Sequence, residues 1–276
     1  MKFTTDALIE SLQLEQLGEG TYRAPNVDSG NPVVFGGQLL GQSIVAAALG
    51  QDGKTVKTIH TVFSRAARPD LDLQISVDRM HTGRSLSSST VTISQDGRIC
   101  VRSQVTLCAD EPDLIRHADG PAVPRKAPTD EPTPDNDWQI HILDDVDVMD
   151  ADAVGPADLD AWNRLPGAPD DPIINQALLA FTTDGYLIGA AMRPHKGVGQ
   201  SQAHVTLSTG VLTHTLTFHE PVSAGDWFLI TSHSNYAGHG RSYGRGDAFD
   251  RDGQLVASYV QDGMIRPMPT GRSHGL

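Results

Sequence analysis

With 276 residues, 38% apolar and 5% aromatic, the chain is long enough for one large domain or two of about 130 residues, and no window approaches the roughly 18 apolar residues of a membrane helix. The net charge of −13 is concentrated: 17 of the 34 Asp/Glu but only four of the 21 Lys/Arg lie between Asp110 and Asp171, which leaves the rest without the basic face that nucleic-acid binding requires. The opening MKFTTDALIESLQLEQLGEG is acidic where a secretion signal is basic and then apolar, and the two cysteines, Cys100 and Cys108, are too few for a disulfide framework, so a cytoplasmic protein is expected.

In chain order, the first strong signal is an apolar helix over residues 36–50, Gly-rich at its start, Ala-rich in its body and closed by Gly50. Its small residues let a helix lie close against a sheet. Alternating, β-branched runs follow at 58–63, 71–80, 87–94 and 99–108, the last two joined by the hairpin dipeptide Asp96-Gly97. The acidic stretch 111–171, taken with Pro172, holds ten of the 17 prolines. X-Pro bonds resist helix and dense charge resists burial, so this stretch reads as a connector laid over the surface, with one short helix near 156–163. A second apolar helix, 173–192, precedes strand-like runs at 205–219, 227–234, 243–250 and 255–265, the last pair joined through Asp252-Gly253.

The two flanks of the connector repeat each other. TIHTVF, Gly83-Arg84-Ser85 and Asp96-Gly97 in the first flank match LTHTLTF, Gly240-Arg241-Ser242 and Asp252-Gly253 in the second, at offsets of 154, 157 and 156. Two copies cannot make a solenoid, so an internally duplicated α+β domain is predicted, each copy an antiparallel sheet wrapped around one buried helix. The units are residues 1–110, the acidic connector 111–171, and 172–276.

The stretches FGGQLLGQS, THTLTFHEP, GRSYGRGDAF and DGQLVASYVQDGMIRP resemble the acyl-CoA thioesterase II family of double-hotdog enzymes, over roughly residues 5–110 and 172–268. The resemblance implies hydrolysis of fatty acyl-CoA to fatty acid and CoA without a cofactor, acyl-CoA as the partner molecule, and a homo-oligomer. It also implies a water held by three side chains. Asp184, in AFTTDGYLIGAA, matches the acid on the second helix, and Gln261, in YVQDGMIR, matches the amide near the C-terminus. The family's hydroxyl position falls on Val211 by ungapped counting back from Gln261, so Thr213, or Thr209 as the alternative, is expected to supply the hydroxyl from the same strand face.

These residue types suit the chemistry. A carboxyl buried in an apolar helix has its charged form disfavoured, which lifts its pKa toward the working pH of a general base. An amide both donates and accepts, and so can orient a water. By spacing alone Asp184-Gly185 reads as a helix breaker and Gln261 as a strand residue bonded to backbone. Aligning the helices puts Gly41 opposite Asp184, an acid present in only one copy, and Gln104 near the counterpart of Gln261. Arg65 and Arg68, ahead of Pro69, are candidates for CoA phosphate contacts, since Arg binds phosphate with two parallel hydrogen bonds. The run GHGRSYG enters a strand, with the wrong spacing for a dinucleotide loop. Eleven histidines include no helical pair with a carboxylate motif, and no metal is expected. Two other functions fit a hotdog fold: a hydratase or dehydratase, for which Asn31-Pro32 lacks the following His, and a non-catalytic acyl-CoA-binding protein.

Overall fold

The computed structural model describes residues 3–27, 29–121, 125–131 and 137–268. Twelve strands form one antiparallel sheet in the order β1-β2-β4-β5-β6-β3-β9-β12-β11-β10-β8-β7. The first half contributes β1 (Glu15–Gly18), β2 (Thr21–Ala24), β3 (Thr55–Phe63), β4 (Leu73–Thr82), β5 (Leu86–Gln95) and β6 (Arg98–Cys108). The second contributes β7 (Gln139–Ile142), β8 (Ala161–Arg164), β9 (Leu207–Phe218), β10 (Phe228–Gly238), β11 (Arg241–Phe249) and β12 (Leu255–Pro267). The order is a palindrome about the β3–β9 seam, so the duplication visible in the sequence is a duplication of topology. A short helix α1 (Thr5–Ser11) opens the chain, α2 (Gly36–Ala48) fills the first half, and α3 (Pro172–Thr183) with α4 (Leu187–Met192) fills the second. This is the expected double hotdog.

Both apolar helices and the Asp-Gly turns are present, although the second helix, expected as one piece over 173–192, is broken between Thr183 and Leu187. The Asp96-Gly97 turn has both residues at positive φ, 49° and 70°, the backbone of a two-residue hairpin whose twist matches its strands. α2 is buried from Gly37 through Ala47, and β5 turns Ser87, Ser89, Val91 and Ile93 inward at every second position. Small side chains on both surfaces set the close approach. α3 starts at an N-cap, Asp171, whose carboxylate accepts from the backbone N–H of Ile173 and Ile174, with Pro172 at the first helical position.

The segment 111–171 departs from expectation. Residues 122–124 and 132–136 lie outside the described residues, but Gln139–Ile142 and Ala161–Arg164 are edge strands of the second half, placed as β1 and β2 are in the first. The helix expected near 156–163 is replaced by this strand, with Leu159, Ala161, Trp162, Asn163 and Leu165 all buried. Local proline and charge are outweighed by burial on both faces of the strand: Leu159, Ala161 and Leu165 join the main core, while Trp162 packs with Trp227, Leu229 and Phe249 on the other side.

At the seam, Thr58–Val62 pair with Thr213–Thr217. The Gln176 side chain of α3 reaches across it, its amide donating to the Val56 carbonyl (2.7 Å) and accepting from the Val56 N–H (2.9 Å). One hydrophobic core, including Leu40, Ile44 and Ile59 from one half and Leu178, Leu216 and Tyr259 from the other, runs through both.

Candidate active site

Four directly opposed residues, Ser103, Thr61, His214 and Gln261, form a row across the central strands β6, β3, β9 and β12. None is more than 2% exposed. A polar row at this depth must satisfy its own hydrogen bonds.

Asp184 meets the row where α3 ends. Thr182 and Thr183 turn their hydroxyls back onto the Leu179 and Ala180 carbonyls (2.7 and 2.9 Å), a bond that loosens a helix, and Asp184 takes the C-cap. The chain then turns through Gly185 and Tyr186 before α4. The Tyr186 hydroxyl donates to Asn163 Oδ1 on β8, which also accepts from the Trp138 indole N–H (3.1 Å). Both partners, Asn163 and Trp138, lie in the segment read as a connector. Trp138 belongs to an aromatic cluster with Phe3, Phe35 and Phe181, of which Phe35 and Phe181 border Gly37.

The Asp184 carboxylate lies against the N-terminal turn of α2, the helix of the other half. A Cβ on Gly36 would fall 2.7 Å from Asp184 Oδ2, and one on Gly37 would fall 2.3 Å from the Phe181 carbonyl oxygen; only glycine at both positions lets the carboxylate and the helix end meet. The Gly37 N–H hydrogen-bonds the carboxylate, and α2 has no side-chain N-cap to compete. Free N–H groups at a helix start favour negative charge. Burial wins over that bond and pushes the Asp184 carboxyl up to about 7.

The Gln261 amide nitrogen lies 3.2 Å from Asp184 Oδ1 and 3.2 Å from His214 Nδ1. Its Oε1 is buried with no partner. His214 Nε2 is 3.1 Å from the Thr183 hydroxyl, and the imidazole stacks on the Tyr259 ring at 5.6 Å and 11°. Burial pushes the His214 pKa down to about 3, so the ring is neutral. A carboxylate poised to take a proton stands beside an amide oxygen free to accept one more hydrogen bond, which is what holding and deprotonating a water needs.

Asp184 and Gln261 thus come together as the sequence led us to expect, whereas Thr213 does not join them. Gln261 faces His214, while Thr213 faces Asp262 on the opposite surface and donates to its Oδ2 (2.9 Å). Beyond Asp262 the β12–β9 register shifts by one residue, so Val211, opposite Gly263, shares the face of Gln261 and Thr213 does not. Ungapped counting misses such a bulge, because one extra residue exchanges the faces. Thr209 pairs with Ile265, four residues and about 13 Å along the strand from Gln261. Gln104 is exposed, and Ser103 holds the counterpart position instead. Arg68 is committed to Asp70 through two bonds of 3.0 and 2.5 Å. Arg65 lies two residues beyond Phe63, whose ring borders Gly36 and so the site. His214 was legible after all: it shares its strand parity with the inward Leu216 and Phe218.

The fold is that of a double hotdog. Comparison with known proteins gives the family. The model described as "Acyl-CoA thioesterase C-terminal domain" matches residues 121–265 and "Acyl-CoA thioesterase N-terminal domain" matches residues 23–108; the chain belongs to the acyl-CoA thioesterase family. It is 27% identical to mouse acyl-coenzyme A thioesterase 8, over 94% of this chain and 88% of that one. It is likewise 27% identical to acyl-CoA thioesterase 2 of Haemophilus influenzae, over 94% and 96%. The crystal structure of the acyl-CoA thioesterase II TesB2 from Mycobacterium marinum superposes with a TM-score of 0.78 at 27% identity, covering 97% of this chain and all of that one. No helix among the described residues is long and apolar enough to cross a membrane.

Proposed function

We propose that the protein hydrolyses fatty acyl-CoA by direct attack of one water, held between the Asp184 carboxylate and the free Oε1 of Gln261. The unpartnered Oε1 beside a carboxyl whose pKa sits near 7 is the observation that carries this reading. Asp184 takes a proton as the water oxygen bonds to the thioester carbon. The C–S bond of the tetrahedral intermediate then breaks, and the proton passes to the departing CoA sulfur, leaving fatty acid and CoA. At the start of α2 the Gly37 N–H already serves Asp184 and the Gln38 N–H the Phe35 carbonyl, which leaves the Gly36 N–H as the donor for the oxyanion. Arg65, exposed two residues beyond Phe63, is the residue assigned to a CoA phosphate in this reading. No hydroxyl from Thr213 or Thr209 is required.

The test is release of free CoA from acyl-CoAs of graded chain length by the wild-type protein and by Asp184→Asn. Turnover by the wild type with a loss of about 10²- to 10⁴-fold in the variant is expected. Acyl-CoA binding without CoA release would make the protein a non-catalytic binder, and a fully active Asp184→Asn would remove the carboxylate from the mechanism.

A further inference from the structure

We infer that His214 is a positioning residue that fixes the direction of the Gln261 amide, so that its oxygen stays turned toward the water throughout the reaction. This rests on the reading of Asp184 and Gln261 given above. The argument is a count of donors. The Thr183 hydroxyl gives its one hydrogen to the Ala180 carbonyl (2.9 Å) and can only accept from His214. His214 Nε2 therefore carries the ring's single hydrogen, and Nδ1 is bare. A bare Nδ1 at 3.2 Å demands a donor from Gln261, which must present its NH₂. The second hydrogen of that NH₂ reaches Asp184 Oδ1 (3.2 Å), and the oxygen is left over.

Asp184 alone could not hold this arrangement. During turnover it becomes protonated, and a protonated carboxyl can donate to an amide oxygen as well as accept from an amide N–H. The Gln261 amide would then be free to rotate by half a turn and lose the water. The imidazole prevents this because its demand for a donor does not change in the cycle. It is fixed from every side: Thr183 on α3, Gln261 and the stacked Tyr259 on β12, and the opposed Thr61 on β3. No charged group besides Asp184, reached through Gln261, approaches it in these contacts.

Two measurements test the inference. In protein labelled with ¹⁵N-histidine, the His214 resonances, assigned by their loss in His214→Asn, should show a protonated Nε2 and an unprotonated Nδ1 from pH 5 to 9; a hydrogen on Nδ1 would overturn it. In kinetics, His214→Phe should lower kcat about tenfold, the cost of one hydrogen bond, with KM nearly unchanged. His214→Asn, which keeps an acceptor near the Nδ1 position, should recover part of the loss. In a Gln261→Ala background His214→Phe should cost nothing further, since there is no amide left to orient. An equal loss in both backgrounds would make His214 merely structural and overturn the inference. Should His214→Phe fail to fold, the tautomer measurement decides. A dead Asp184→Asn with a fully active His214→Phe would sink this inference alone, whereas an active Asp184→Asn would sink the underlying site.

Discussion

The two halves place different chemistry on the same scaffold. In the first, the row residues Thr61 and Ser103 are joined at 2.8 Å, Ser103 reaches Ser43 on α2 (3.3 Å), and Ser43 donates to the Leu39 carbonyl (2.8 Å). This chain of hydroxyls is closed, and nothing in it titrates near neutrality. In the second, the same two positions hold His214 and Gln261, whose network ends on a carboxyl and an unpartnered oxygen. The helices differ in step: α2 runs unbroken for 13 residues, while its counterpart is interrupted between Thr183 and Leu187, where Asp184 sits. The first copy satisfies its own row. The other leaves Gln261 Oε1 without a partner, the feature on which the proposed water site rests.

The sharpest way to break this contrast is to neutralise the acid. In the folded protein Asp184 holds its proton up to about pH 7, against an ordinary value of 3.8. Its protonated form therefore favours folding at low pH, and that contribution disappears as pH rises from about 4 to 7. Asp184→Asn should be the more stable protein above pH 7, by up to about 4 kcal/mol, with the gap closing near pH 4; urea unfolding at pH 4.5 and 8 measures it. A variant no more stable than wild type at pH 8 would mean the carboxylate is better solvated than its burial implies. The same titration governs activity. For wild type, kcat/KM should be flat above pH 7 and fall about tenfold for each unit below it, which a pH profile of CoA release would show or refute.

Smaller changes sharpen the comparison from the other side. Ser103→Ala opens the closed hydroxyl chain and should cost about 1 kcal/mol of stability, read from denaturant midpoints, with kcat unchanged. Weakest of all should be Thr213→Val. Its partner Asp262 is on the outer face, and a surface change of this kind stays within about 0.5 kcal/mol. Turnover equal to wild type would confirm that the hydroxyl is no part of the site, and a tenfold fall would restore it.

Much of this was legible in the chain itself. Asp-Gly turns, alternating runs and two apolar helices fix one helix per half-sheet, because each is a local consequence of backbone geometry and burial. Asp184 and Gln261 are singled out by the family resemblance, since by spacing alone they read as a helix breaker and a strand residue. Thr213 is expected from the parity of Val211, but the register shift opposite Asp262-Gly263 reverses that parity, and a bulge leaves no mark in a run such as GVLTHTLTF. Asn163 and Trp138 were hidden for another reason. Asn163 on β8 and Trp138 just ahead of β7 lie among prolines and acids, and the pairing of β8 with β10 and of β7 with β8 that brings them in is not written in the local sequence.

The β3–β9 seam also bears on how the molecule assembles. Every contact across it joins residues more than a hundred positions apart, such as His60 with Thr215 and Val56 with Gln176, and such long loops close slowly. Either half can gather its local hairpins early. The carboxylate of one half and the helix start of the other meet only when the seam closes, so the proposed site is incomplete in either half alone.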